Sequence, residues 1–156
     1  MSITDILITM GTAAAPVGEL RAAIPLAMVE FGAHWYEAFL WGTLGNFIPA
    51  LVLPFVLYRL GHLLLKSPQP FRGVILWRIG RLKKGGGAWA HKHGGWTLIL
   101  LGAAPLPFAG IWTSCLAAWA MDLHPKRSIP YLLLGSLSEA IIVLVLVQLG
   151  VSLLKI

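Results

Sequence analysis

The chain has 156 residues, 58% of them hydrophobic and only 12% charged, with a formal net charge of +6. Soluble domains carry roughly a quarter charged residues, so these proportions exclude an ordinary soluble domain and point to an integral membrane protein. The basic excess does not indicate nucleic acid. Lys66, Arg72, Arg78, Arg81, Lys83, Lys84 and Lys92 fall in one segment between apolar blocks, where an anionic membrane surface is the simpler partner.

The first apolar block covers residues 3–33. As one helix it would greatly exceed the ~30 Å hydrocarbon core of a bilayer. Ala14-Ala15-Pro16-Val17-Gly18-Glu19-Leu20-Arg21 interrupts it with a proline, a glycine, a carboxylate and a guanidinium. Proline lacks an amide donor and clashes with the preceding turn. The block therefore reads as a re-entrant hairpin of two half-helices, near 3–15 and 17–31, with Pro16 in the first turn of the second. The N-terminus carries Asp5 and no basic stretch, so a cleaved signal peptide is not expected.

The second block, 35–65, is a transmembrane helix. Trp35 and Tyr36 suit an interfacial belt at one end, and Arg59, His62 and Lys66 gather at the other. Gly42 and Gly45 permit close helix approach, Asn46 is deep and needs a partner, and Pro49 and Pro54 should bend the span.

Residues 66–95 form a basic cytoplasmic connector. Val74-Ile75-Leu76-Trp77, with Arg72, Arg78 and Arg81 around them, suits a short amphipathic helix on the membrane surface. His91 and His93 have a spacing that could hold a metal, but no carboxylate or thiolate cluster accompanies them, so a solvated loop is expected and no cofactor. Trp77, Trp89 and Trp96 read as interface anchors.

Residues 96–121 form the second re-entrant hairpin, broken at Ala103-Ala104-Pro105-Leu106-Pro107. A polar turn follows at 122–128, with His124, Lys126 and Arg127. Residues 129–154 form the last transmembrane helix, where Ser136, Ser138 and Glu139 are polar. The lone Cys115 excludes an intramolecular disulfide and suits packing.

Ala14-Ala15-Pro16 and Ala103-Ala104-Pro105 occupy matching places in the two halves, and each is followed by a helix, a polar turn and a long span. Paired interrupted segments of this kind point to the binding site of inverted-repeat transporters. Charge then sets the topology. With both hairpins re-entrant, the connector and the 122–128 turn share one face, and the positive-inside rule makes that face cytoplasmic.

Two half-helix N-termini would meet at the centre, one after Pro16 and one after Pro105/Pro107. Free amides and the helix dipole there favour an anion, and Arg21 adds a planar, fully charged fork. Glu19 could cap amides or carry a proton. Charges at membrane depth are usually functional. The candidate substrate-binding residues are Arg21, Glu19, Asn46, Thr113 and Ser114, and the candidate proton carriers are Glu19 and Glu139. Burial and proximity both raise a carboxylate's proton affinity. The bland alternatives are a buried ion pair for Glu19 and Arg21 and an interhelical hydrogen bond for Asn46. No hydrolase triad, phosphate loop or metal signature supports an enzyme.

Pro16-Val17-Gly18-Glu19-Leu20-Arg21-Ala22-Ala23-Ile24-Pro25-Leu26-Ala27 resembles the signature of the small multi-drug export protein family. Pro105-Leu106-Pro107-Phe108-Ala109-Gly110-Ile111-Trp112-Thr113 is similar to its second motif. That family is similar in turn to the DedA/VTT superfamily of re-entrant-hairpin proteins. The resemblance implies two inverted hairpin-plus-span repeats, dimerisation, and transport or scrambling of lipids such as polyprenyl phosphates, with proton dependence. By it, Glu19 and Arg21 match the acidic and basic functional positions of the first hairpin. The second hairpin has no acid near Pro105 and no counterpart of the superfamily's arginine motif.

The expectation is an all-α membrane protein of two inverted repeats, each a re-entrant hairpin plus a transmembrane helix, in the inner membrane as a homodimer. Its first expected function is transport or flipping of an anionic amphiphile, a phospholipid or polyprenyl phosphate, with proton coupling. The alternatives are efflux of cationic drugs, with Glu19 and Glu139 as the attracting charges, and a non-transporting scaffold.

Overall fold

A computed structural model describes residues 1–64, 94–105 and 109–154, and the side chains of 1–60, 94–105 and 109–150. Most of the basic connector, including His91 and His93, and Leu106-Pro107-Phe108 lie outside them. Among the described residues all regular structure is helical: α1 (Ile3–Ala14), α2 (Glu19–Pro25), a π turn (Leu26–Glu30), α3 (Trp35–Leu64), α4 (Gly94–Ala103), α5 (Ile111–Ala120) and α6 (Pro125–Leu154).

Two helices are long and apolar enough to cross a membrane, Trp35–Leu60 of α3 and Pro125–Gly150 of α6. Less than half of each is buried within the protein. Leu40, Leu44, Ile48, Val52 and Phe55 face outward on α3, and Leu134, Ile141, Val145 and Leu149 on α6. A soluble core helix would hide such side chains, whereas lipid is their natural cover. The 12 residues of α1 rise only about 18 Å, and the 10 of α4 or α5 about 15 Å, well short of a hydrocarbon core.

Local sequence explains each break. Ser2 and Asp5 form a capping box that starts α1: Asp5 N–H donates to Ser2 Oγ at 3.2 Å and Ser2 N–H to Asp5 Oδ2 at 2.9 Å. Ala15 precedes a proline and is pushed out of the helical region, to φ −72°, ψ 145°, which ends α1. The chain turns through Pro16–Gly18, and a Cβ on Gly18 would come within 2.8 Å of the Thr12 carbonyl oxygen. The second half-helix begins at Glu19, two residues later than the expected start at 17, and Glu19 itself has φ +51°. Pro25 then removes the amide that would bind the Arg21 carbonyl, and the hydrogen bonding slips to a π register, with Phe31 N–H donating to Leu26 O at 3.3 Å.

In the second half, α5 begins after Gly110, not directly after the prolines. Gly110 has φ +127°, a region open to glycine, and its N–H folds back onto Leu101 O at 3.0 Å. After α5, Asp122 at φ +55° makes a Schellman cap: Leu123 N–H donates to Ala118 O at 2.9 Å and Asp122 N–H to Trp119 O at 3.0 Å. The polar turn is therefore shorter than 122–128. Pro125 opens α6, and Lys126, Arg127 and Ser128 stand in its first turn.

The outer short helices pack on the long helix of their own half, α1 on α3 and α4 on α6. The inner short helices, α2 and α5, are each wedged against both long helices. Glycines set the closest crossings. A Cβ on Gly45 of α3 would lie 2.5 Å from Met10 O of α1, and Gly102 of α4 meets the backbone of Gly135 on α6. α3 and α6 run antiparallel: Ala38 clusters with Ala140 and Val143, while Ala50 and Leu57 cluster with Leu132. Proline does not break α3, which continues through Pro49 and Pro54.

Candidate functional site

Between the two apolar clusters lies a layer of buried polar side chains. Asn46 is near the middle of its span, and Ser136 and Glu139 are near the middle of theirs. Asn46 Nδ2 donates to Ser136 Oγ at 3.0 Å, joining α3 to α6. Because these helices are antiparallel, one turn back along α3 faces one turn forward along α6. Thr43 thereby stands opposite Glu139, in register with the Asn46–Ser136 pair. Thr43, Asn46, Ser136 and Glu139 are all buried, the last three completely.

Glu19 and Arg21 approach this layer from α2. Arg21 Nη2 lies 3.4 Å from Glu19 Oε2, with the carboxylate 2% exposed and the guanidinium-bearing side chain 22% exposed. They are two residues apart and would not share a face of a regular helix. The left-handed φ of Glu19 is the local departure that accompanies their pairing. The Glu19 carboxylate lies directly against Gly110, in the space a Cβ there would take. Gly110 is the N-cap of α5, so the negative charge of the first half meets the positive helix end of the second. Trp112 adds a second tie across the same gap: its Nε1–H donates to the Ala14 carbonyl at 3.1 Å, satisfying an orphan acceptor at the end of α1. Glu139 lies within electrostatic reach of both Glu19 and Arg21.

The structure thus brings together Glu19, Arg21, Asn46 and Glu139. Thr113 and Ser114 are buried in the first turns of α5. The Ser114 hydroxyl is committed to structure, donating to Leu98 O of α4 at 3.3 Å. The Cys115 thiol is buried in the apolar cluster and points to Pro49 O at 3.9 Å. Among the described residues no group of histidine, cysteine or carboxylate side chains could hold a metal in the usual way.

Sequence reasoning missed Gly110, Thr43 and the Trp112 tie. Thr43 was within reach of it, since it sits three residues before Asn46 and so on the same helical face. The tie and the glycine cradle depend on a contact across about ninety residues, for which spacing gives no signal. At each end of the spans aromatic side chains gather: Trp35 and Tyr36 at the start of α3, with His34 stacked on Tyr36, and Tyr58 beside His124 at the other end. Such belts mark membrane interfaces.

Two helices long and apolar enough to cross a membrane, with buried charged side chains packed between the elements around them, are the plan of a helical membrane protein. Over residues 19–142 the chain matches a family described as "Putative small multi-drug export protein", and it belongs to that family. No curated protein and no solved structure matches it.

Proposed function

We propose that this chain exports small amphiphilic cations across the inner membrane. The observation that carries the reading is the charge balance of the buried layer. With both carboxylates ionised, Glu19 and Glu139 outweigh Arg21 by one negative charge. A low-dielectric interior favours neutralising that excess with a cation. Export of drugs agrees with the family description; that they are cations rests on the charge balance.

The same geometry argues against the anionic amphiphile expected first. An anion was to be held by Arg21 and the half-helix N-termini. Glu19 already supplies that anion: its carboxylate pairs with Arg21 and lies at the N-cap of α5. A phosphate headgroup would have to displace it. The exchangeable charge is then Glu139, and proton coupling through Glu19 would require breaking both of its contacts.

In this proposal α1–α2 and α4–α5 are re-entrant hairpins entering from opposite faces, related as inverted repeats. The matched packing of α1 on α3 and α4 on α6 supports it. Lys126 and Arg127, exposed in the first turn of α6, sit where a helix dipole disfavours cations. Their placement is explained by an anionic cytoplasmic leaflet. Few elements surround the polar layer, so a homodimer completes the pathway, to be checked by native mass spectrometry in lipid.

The deciding experiment uses proteoliposomes loaded with ethidium or tetraphenylphosphonium. Wild type and Arg21→Ala should move the cation, and Glu139→Gln should not. Scrambling of a fluorescent anionic phospholipid that is lost in Arg21→Ala would restore the anionic reading and overturn this one. Flux of neither would leave the scaffold.

A further inference from the structure

Among the described residues, the buried side-chain oxygens without a hydrogen-bond partner are Thr43 Oγ1, Asn46 Oδ1, Glu139 Oε1 and Glu139 Oε2. All of them belong to the facing turns of α3 and α6. Buried polar atoms are nearly always satisfied, so such a coincidence on adjacent turns calls for a physical reason. The Asn46 amide donates from Nδ2 to Ser136 Oγ, and its Oδ1 is left open on the same face. Thr43 and Glu139 do not bond to each other, although register sets them opposite.

We propose that these oxygens form a binding site for one sodium ion between α3 and α6. A proton on Glu139 would supply a single new donor and leave other acceptors bare, whereas a metal cation can take carboxylate, amide and hydroxyl oxygens together. Oxygen donors without thiolate or imidazole select hard cations. The ligand set contains one carboxylate, so it balances one positive charge. Calcium asks for roughly six to eight oxygens, and magnesium is held by carboxylates while keeping several waters. The charged groups near the site are Glu19, which adds negative potential, and Arg21, which opposes it. Glu19 is itself paired with Arg21, which offsets part of its negative potential at Glu139.

The inference goes beyond the export reading and does not need transport to be tested. If both hold, sodium and the exported cation compete for the single charge of Glu139, which is the basis of an exchange.

The test is binding by the purified full chain in lipid nanodiscs. Thermal unfolding is followed by tryptophan fluorescence while sodium chloride replaces choline chloride at constant ionic strength, at pH 8.5. Binding of ²²Na⁺ by scintillation proximity is measured in parallel. Wild type should gain several degrees in Tm, with saturation, and should retain ²²Na⁺. Thr43→Val and Glu139→Gln, both close in shape to the native residue, should lose the shift and at least tenfold in sodium affinity. Ser138→Ala, whose hydroxyl bonds only to its own helix at Leu134 O, should keep both. An equal shift in choline, an undiminished shift in Glu139→Gln, or stabilisation by acid with no ²²Na⁺ bound would overturn the proposal. Loss of ethidium efflux with sodium binding intact would instead count against the export reading alone.

Discussion

The carboxylate of Glu19 fills the space in front of Gly110 that any other residue there would need for its side chain. The first half thereby presents its buried acid to a helix end of the second. Gly110→Ala should be among the most damaging single changes in the chain. It would force a Cβ onto the carboxylate and hold alanine at φ +127°. A cost of about 3 kcal/mol is expected, seen as a drop in Tm in detergent. Adding Glu19→Ala should recover the steric part but not the backbone part. A Gly110→Ala protein as stable as wild type would refute the contact.

Removing Arg21 leaves a 2%-exposed carboxylate without its guanidinium. Arg21→Ala should destabilise by about 2 kcal/mol, below the usual cost for a fully buried pair because Arg21 is partly exposed. Combining it with Glu19→Gln should restore most of the loss. The comparison is made by reversible unfolding in mixed micelles, and purely additive effects would show that the two side chains act separately.

The Asn46–Ser136 hydrogen bond ties the middles of the two spans together, side chain to side chain. A double-mutant cycle with Asn46→Ala and Ser136→Ala should give a coupling of about 0.6 to 1.7 kcal/mol, the range found for hydrogen bonds between membrane helices. Zero coupling would mean that the bond is not formed in lipid.

Gly45 sits where α1 crosses α3, with the Met10 backbone at the distance a Cβ would need. Gly45→Val should separate these helices and lower stability by about 1–3 kcal/mol. Gly11→Val, with nothing within 4 Å of its Cβ position, should be nearly silent. Equal effects at the two glycines would contradict the crossing.

Much of this architecture was legible in the residues. Pro16 and Pro105 marked both interruptions, because a proline restricts the residue before it as well as its own amide. The two long apolar runs marked the spans. The exact restart of each half-helix was not legible, since it depends on Glu19 adopting a left-handed backbone that its sequence neighbours do not demand. At the site, Glu19, Arg21, Asn46 and Glu139 were singled out because charge and amide groups at membrane depth are costly. What they do to one another was hidden. Arg21 and the α5 helix end look like an anion trap in sequence, and only the fold reveals that the chain's own carboxylate is the anion.

The wedging of α2 and α5 against both long helices has a consequence for biogenesis. Neither half can complete its interior by itself. As the chain leaves the translocon, Glu19 enters the bilayer before Gly110 and α6 have been made, so its final cover arrives only with the last third of the polypeptide. Fragments comprising one half should therefore be substrates for membrane proteases, and the two halves expressed as separate polypeptides should survive only together.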